Sequence, residues 1–148
     1  MDLPYFNFFP VILSSLVSII VGFIWFHPKI FGTVWQKESG VYEKRMAGIN
    51  PLSNYIYSLI LGVLITSYLY LNVTMGGLGT GVHGTAPFMT FKHGFFHGFV
   101  LGTFVIVPAF VTNALFEHKS IKYIVVLSGY WIINAGIMGG VVNSCSQI

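Results

Sequence analysis

Charged side chains are scarce in this sequence. Asp, Glu, Lys and Arg make up 7% of the 148 residues, whereas they make up about 25% of a typical soluble domain. A surface with so little charge would not stay in water, so the composition predicts an integral membrane protein. The net charge of +3 is scattered along the chain, which argues against a nucleic-acid partner and leaves the lipid bilayer as the expected surroundings.

Cysteine is nearly absent as well. The single cysteine, Cys145, excludes an internal disulfide and any CxxC motif. No Lys or Arg precedes the N-terminal apolar run, and no small-x-small cleavage pattern follows it. We therefore expect a retained first span rather than a cleavable signal peptide.

Apolar residues are abundant and fall into four long runs. Each run approaches or exceeds the roughly 20 residues that cross a bilayer as a helix; the predicted spans are residues 8–26, 52–71, 93–116 and 121–142. The predicted fold class is therefore all-α, an integral membrane four-helix bundle that forms one domain over residues 1–148. Between the first two spans, Phe31, Val34 and Trp35 share one helical face, which favours a short interfacial helix over an ordinary connector.

The basic residues are distributed unevenly between the linkers. Six of the seven lie in the first and third linkers or just beyond them: Lys29, Lys37, Lys44, Arg45, Lys119 and Lys122. Cytoplasmic loops of membrane proteins carry such an excess of Lys and Arg. We therefore predict a multi-pass protein of the cell membrane with both termini outside.

Small residues recur at a spacing of four in every span, a pattern typical of a glycine zipper. In lipid, helices associate through close backbone approach, and small residues at this spacing permit it. The predicted packing residues are Gly62, Gly94, Gly98, Gly102, Gly136 and Gly140. The pattern fits packing within one chain and packing between chains; a GxxxGxxxG ridge is often an oligomer contact, which favours a homo-oligomer.

The polar residues deep in the spans are neutral. No Asp, Glu, Lys or Arg lies well inside a span, which counts against a proton-coupled pump and a voltage sensor. Asn113, Asn134 and His97 are the candidates that remain. They predict hydrogen bonds between helices or, alternatively, a polar lining for a small solute.

His93 and His97 lie four residues apart on one helical face, a spacing that can hold a metal. By the predicted topology His83, Cys145 and Asp2 reach the same side and offer further ligands. Against a site, no Glu lies between the two histidines. The alternatives are a transition-metal site, which would be the protein's one cofactor, and two polar caps at the end of a span.

The run WFHPKIFGTVW, from Trp25 to Trp35, resembles the signature of a small bacterial membrane family catalogued as the 1761 domain of unknown function. NALFE at 113–117, and Gly129-Tyr130 followed by IMGG at 137–140, resemble it too. The resemblance implies four spans and supplies no catalytic or cofactor-binding residues. Many members carry a His where this chain has Trp131. In the run itself, the predicted interface corner consists of Trp25, Pro28, Phe31, Gly32 and Trp35.

Three functional hypotheses follow, in this order. The first is a non-enzymatic protein that acts through assembly, as a homo-oligomer or as an accessory subunit of another membrane protein. The second is a conduit or transporter for a small solute or ion, using Asn113, Asn134, His97 and a bend at Pro108. The third is a metal-dependent membrane enzyme built on His93 and His97.

Overall fold

The computed structural model describes residues 6–40, 51–76 and 85–147, and these ranges contain helices and no strands. This confirms the all-α class. Four helices are long and apolar enough to cross a membrane: Phe8–Trp25, Leu52–Thr74, Phe91–Phe116 and Ile121–Ser144. We call them the first to fourth long helices. The protein is thus a multi-pass membrane protein, and the four helices overlap the four predicted ranges.

The long helices are interrupted or extended by wider turns. The second is α-helical over Pro51–Leu69 and ends in a π-helical turn, Tyr70–Thr74. The third combines Phe91–Leu101, a π-helical turn at Gly102–Ile106, and Val107–Phe116. That π-turn ends two residues before Pro108. Proline has no N–H to donate, so the regular i→i−4 hydrogen bonding is interrupted where the sequence predicts a bend.

Side-chain caps fix where the third and fourth long helices begin. The Thr90 hydroxyl accepts a hydrogen bond from the His93 N–H at 3.3 Å. The Ser120 hydroxyl accepts one from the Tyr123 N–H at 3.1 Å. Each bond satisfies an N–H that has no partner within its own helix. The third helix therefore starts at Phe91, two residues before the predicted boundary.

The third long helix packs on the fourth with almost no space between their backbones. A Cβ atom added at Gly94, Gly98 or Gly102 would come closer than van der Waals contact to the backbone of the fourth helix. In the other direction, Gly136 faces the ring of Phe95, and Gly140 faces the ring of Phe91. The predicted packing glycines of these two helices therefore lie at a contact within one chain.

The first long helix joins the fourth to the second through buried hydroxyls. The Ser14 hydroxyl donates to the Met138 carbonyl of the fourth helix at 2.7 Å. The Ser15 and Thr66 hydroxyls are 2.8 Å apart between the first and second helices. Gly62 packs against Ser15 there, at the distance of an ordinary van der Waals contact for an added Cβ. Serine and threonine at close crossings are typical of membrane bundles.

One end of the bundle is filled and the other is open. Toward the end of the second helix, Leu69 and Val73 are 1% and 3% exposed, and they pack with Met138 and other core residues. Toward its beginning, none of residues 52–61 is buried, and Tyr55 and Leu61 are 44% and 59% exposed. The second helix therefore leaves the core along its first half, and a gap opens beside the first and fourth helices.

The short helix predicted between the first two spans is present as Thr33–Ser39, preceded by a π-helical turn at Pro28–Gly32. The His27 Nδ1 atom accepts from the Lys29 N–H at 3.2 Å and caps the turn. A Cβ atom on Gly32 would overlap the Phe26 carbonyl oxygen, so only glycine fits this position. Lys119, in the turn before the fourth helix, donates to the Ser39 carbonyl at 3.4 Å.

Candidate functional site

A cavity of about 570 Å³ occupies the open end of the bundle. Its walls come from the end of the first long helix, the beginnings of the second and fourth, and the short helix. A volume of this size lies within the roughly 300–1,000 Å³ of typical small-molecule sites. The third long helix contributes none of the described lining residues, because it packs on the other side of the fourth.

Aromatic side chains dominate the cavity wall. They are Phe23, Phe26, Trp35, Tyr55, Tyr123, Tyr130 and Trp131. The Phe26 ring links two of the walls, with its centroid 5.3 Å from that of Trp35 and 4.9 Å from that of Tyr130. At the edge, Phe23 and Tyr55 stack at 5.3 Å. These separations are those of favourable aromatic pairs, so the rings stabilise one another within the wall.

The predicted interface corner supports this aromatic surface from behind. Trp25 donates from its indole nitrogen to the Val126 carbonyl at 3.2 Å. Its ring lies 4.6 Å from that of Phe31, and Gly129 on the fourth helix leaves room for it. The motif that carries the family resemblance thus anchors the first helix to the fourth, and it places Trp35 in the cavity wall.

Asn134 is the most deeply placed polar group of the cavity. It lies near the middle of the fourth helix, about 20 Å along the axis from Ile121, and is 2% exposed. Its amide nitrogen donates to the Tyr130 hydroxyl at 3.3 Å. Its Oδ1 atom is buried and has no hydrogen-bond partner among the residues that the structure describes. A buried acceptor in this state costs about 1–3 kcal/mol.

Asn143, nine residues further along the same helix, shows the opposite arrangement. Its amide nitrogen donates to the carbonyls of Phe88 and Thr90, each at 2.9 Å. Its Oδ1 atom accepts from the Thr74 hydroxyl at 3.2 Å. Both the amide nitrogen and the amide oxygen of Asn143 therefore have hydrogen-bond partners within the fold. The contrast identifies Asn134 as the asparagine with capacity left for a ligand.

The described lining residues of the cavity include no Asp, Glu, Lys, Arg or His. Its polar groups are the Asn134 amide and hydroxyls such as those of Ser18, Ser58 and Tyr130. A charged molecule would lose its hydration here without a counter-charge, which is costly in a low-dielectric site. The chemistry of the wall therefore suits a neutral molecule with an apolar body.

The other predicted site residues lie apart from the cavity. Asn113 is exposed on the third long helix, and neither Asn113 nor His97 lines the cavity. The rings of His93 and His97 lie 4.7 Å apart near the start of the same helix, and Phe88 packs against His93 at 5.4 Å.

A transition metal at the histidine pair stays a prediction. In the described part of the chain, no three residues of the His, Cys, Asp and Glu types lie close enough to hold a metal ion. Of the three further ligands that were predicted, Asp2 and His83 lie outside the described residues, and Cys145 is described and half-buried. Lys44 and Arg45 also lie outside the described residues.

Several cavity residues were missing from the sequence-based candidates. The sequence points to Tyr130 and Trp131 only through the family pattern, and it does not mark Phe26, Tyr55 or Tyr123 as site residues. One signal could have found them: aromatic residues gather at the end of the first span and the beginnings of the second and fourth. The topology brings those ends together.

The sequence pattern of one protein family, described as a protein of unknown function (DUF1761), matches residues 9–143. No curated protein and no solved structure matches the chain. The match covers nearly the whole chain, so the protein belongs to the DUF1761 family, which confirms the resemblance of the WFHPKIFGTVW run.

Proposed function

We propose that this member of the DUF1761 family is a membrane protein that binds a small neutral molecule between its first, second and fourth long helices. The observation that carries the proposal is the unpartnered Oδ1 atom of Asn134 in the wall of a 570 Å³ cavity. Folding leaves this acceptor without a partner in the described chain, so a bound molecule can supply the missing donor. No catalytic residue is assigned.

Ligand binding is favoured over action through assembly. Assembly was suggested by the glycine ridges, and in the fold Gly94, Gly98 and Gly102 are buried against the fourth helix of the same chain. They therefore leave no small-residue surface for a second copy on that face. A homo-oligomer or a partner membrane protein stays a prediction that needs a different contact surface.

We place the cavity in the cytoplasmic half of a cell membrane, with both termini outside. The basic residues of the first and third linkers support this orientation, because Lys and Arg accumulate on the cytoplasmic side. The contact from Lys119 to the Ser39 carbonyl fits linkers that share a side. The cavity lies at that same end, and the exposed start of the second helix gives it access from the surrounding lipid.

The test is native mass spectrometry of the protein extracted in polymer-bounded membrane discs, which keep the original lipid. We expect an additional mass bound to the wild-type protein. Ser58→Phe should remove that mass, because Ser58 lines the cavity and a phenyl ring there would take up part of the space that the ligand needs. Leu64→Phe is the matched control, since Leu64 lies on the same helix, is 63% exposed and does not line the cavity.

Water is the competing occupant of the cavity, and it gives a different result. If only water and loosely attached lipid fill the space, the bound masses will be the same in the wild type and both variants. That result would refute the proposed function. Loss of the mass from both variants would show a general loss of structure and would equally count against specific binding.

A further inference from the structure

We infer that the ligand is a neutral aromatic molecule carrying a hydroxyl group of the phenol class, which binds with that hydroxyl at Asn134. This inference rests on the proposed function and adds the chemical class and orientation of the ligand. It follows from three features of the cavity: the bonding capacity left at Asn134 and Tyr130, the aromatic wall, and the absence of charge among the described lining residues.

The first feature specifies the polar group of the ligand. Asn134 uses its amide nitrogen on the Tyr130 hydroxyl, so its Oδ1 atom needs a donor. The Tyr130 hydroxyl accepts that bond and still has its own hydrogen to donate. A ligand hydroxyl can donate to Asn134 and accept from Tyr130 at once. An ether or a ketone can only accept, and it would leave the Asn134 oxygen unsatisfied.

The second feature specifies the body of the ligand. Aromatic rings line the cavity from Tyr55, which is 44% exposed, to Tyr130, which is bonded to the buried Asn134. An aromatic ring packs on such a surface more favourably than a saturated ring of the same size. Each aromatic pair adds about 0.5–1.5 kcal/mol beyond the area that it buries. The wall therefore selects a flat aromatic body over a saturated one.

The third feature specifies the charge. The described lining residues offer no cation for a carboxylate and no anion for an ammonium group. An aromatic wall can hold a cation by its ring faces. At the depth of Asn134, near the middle of the membrane helix, a cation without a carboxylate would bear most of its dehydration cost. A phenol is neutral at pH 7, so it needs no counter-charge in the wall and does not have to lose the hydration shell of an ion.

Ligand binding can be measured through the fluorescence of the three tryptophans of the chain. Trp35 and Trp131 line the cavity, and the ring of Trp25 lies 6.5 Å from that of Tyr130. A bromine atom quenches tryptophan fluorescence when it lies close to the ring. We would titrate the protein in lipid nanodiscs with para-bromophenol, para-bromoanisole, para-bromobenzoate and para-bromocyclohexanol, and excite tryptophan selectively. Protein-free nanodiscs correct each titration for partition into the lipid.

We expect para-bromophenol to reach half-saturation at a concentration roughly tenfold lower than para-bromoanisole, as one satisfied hydrogen bond implies. It should also bind more tightly than para-bromocyclohexanol and para-bromobenzoate. In Asn134→Leu the preference for the phenol over the anisole should fall to about one. Asn134→Thr, which keeps a hydroxyl as acceptor, should retain part of it. The comparison among ligands needs only the wild-type protein, so a poorly folded variant does not decide the result.

The outcomes separate this inference from the proposed function. Saturable quenching that is equal for the phenol and the anisole would overturn the assignment of the hydroxyl, and the cavity would remain a binding site. Equal binding of para-bromocyclohexanol would overturn the aromatic part. No saturable quenching by any of the four probes would overturn the inference, and the bound mass that Ser58→Phe removes would then decide the proposed function by itself.

Discussion

Adding one methyl group at Gly98 tests how the third and fourth long helices meet. The new Cβ atom would overlap the carbonyl of Ala135 and lie 3.0 Å from the Cα atom of Gly136. All of these are backbone atoms, so no side chain can rotate away and the two helices must move apart. Overpacking of this kind costs about 1–3 kcal/mol. We expect Gly98→Ala to lower the free energy of unfolding by about 2 kcal/mol.

Gly62→Ala is the matched control for this substitution. Its Cβ atom would lie 3.5 Å from the Ser15 Cβ atom and 3.5 Å from the Ser18 hydroxyl oxygen, which is ordinary contact. Alanine is the better helix former by up to about 1 kcal/mol. We therefore expect Gly62→Ala to be neutral or slightly stabilising. Gly98→Ala has the same gain in helix propensity, but the overlap with the backbone of the fourth helix outweighs it.

The assay is equilibrium unfolding in mixed micelles with increasing sodium dodecyl sulfate, followed by tryptophan fluorescence. The wild-type protein and the two glycine variants are compared under one condition. Two results would refute the reasoning. One is a Gly98→Ala protein as stable as the wild type. The other is a Gly62→Ala protein that loses as much stability as Gly98→Ala, since the backbone overlap would then not be the cause.

Three further predictions use the same unfolding assay. Asn143→Leu should cost about 2 kcal/mol or more, because it leaves two backbone carbonyls and a hydroxyl without their partner; a neutral result would contradict the bonding seen at this residue. Trp25→Phe should cost about 1 kcal/mol through the lost bond to the Val126 carbonyl, and a loss below about 0.3 kcal/mol would argue against that bond. Lys119→Met should change stability by less than about 0.5 kcal/mol. It should, however, broaden the distances between spin labels on the short helix and on the turn, because the contact to the Ser39 carbonyl is lost; an unchanged distribution would contradict that role.

The four long helices and the corner were predictable from the sequence because each depends on short-range properties of the chain. The lengths of the apolar runs are set by the thickness of the bilayer. The corner follows from Pro28, which cannot continue the first helix, and from Gly32, which permits a tight turn. The close packing of Gly94, Gly98 and Gly102 follows from their spacing alone. No partner helix had to be known for these predictions.

Which helices pack against each other was not predictable from the sequence, because in a membrane protein the lipid-facing and core-facing sides of a helix are both apolar. Asn113 and Asn134 illustrate the difficulty. They are the same residue type in neighbouring spans, yet Asn113 is exposed and Asn134 is 2% exposed. The difference arises because the fourth helix lies at the centre of the fold while the third lies at its side. A single sequence contains no periodic signal for that arrangement.

The central position of the fourth long helix has a consequence for how the protein is made. This helix contacts all the other long helices, and it is the last of the four in chain order. During synthesis, the first two helices can pair through Ser15 and Thr66 as soon as both are in the membrane. The third must wait, with Gly94 and Gly98 facing lipid or the insertion machinery, until the fourth arrives. Final packing, and with it the cavity wall, therefore forms only when the fourth helix has left the ribosome and entered the bilayer.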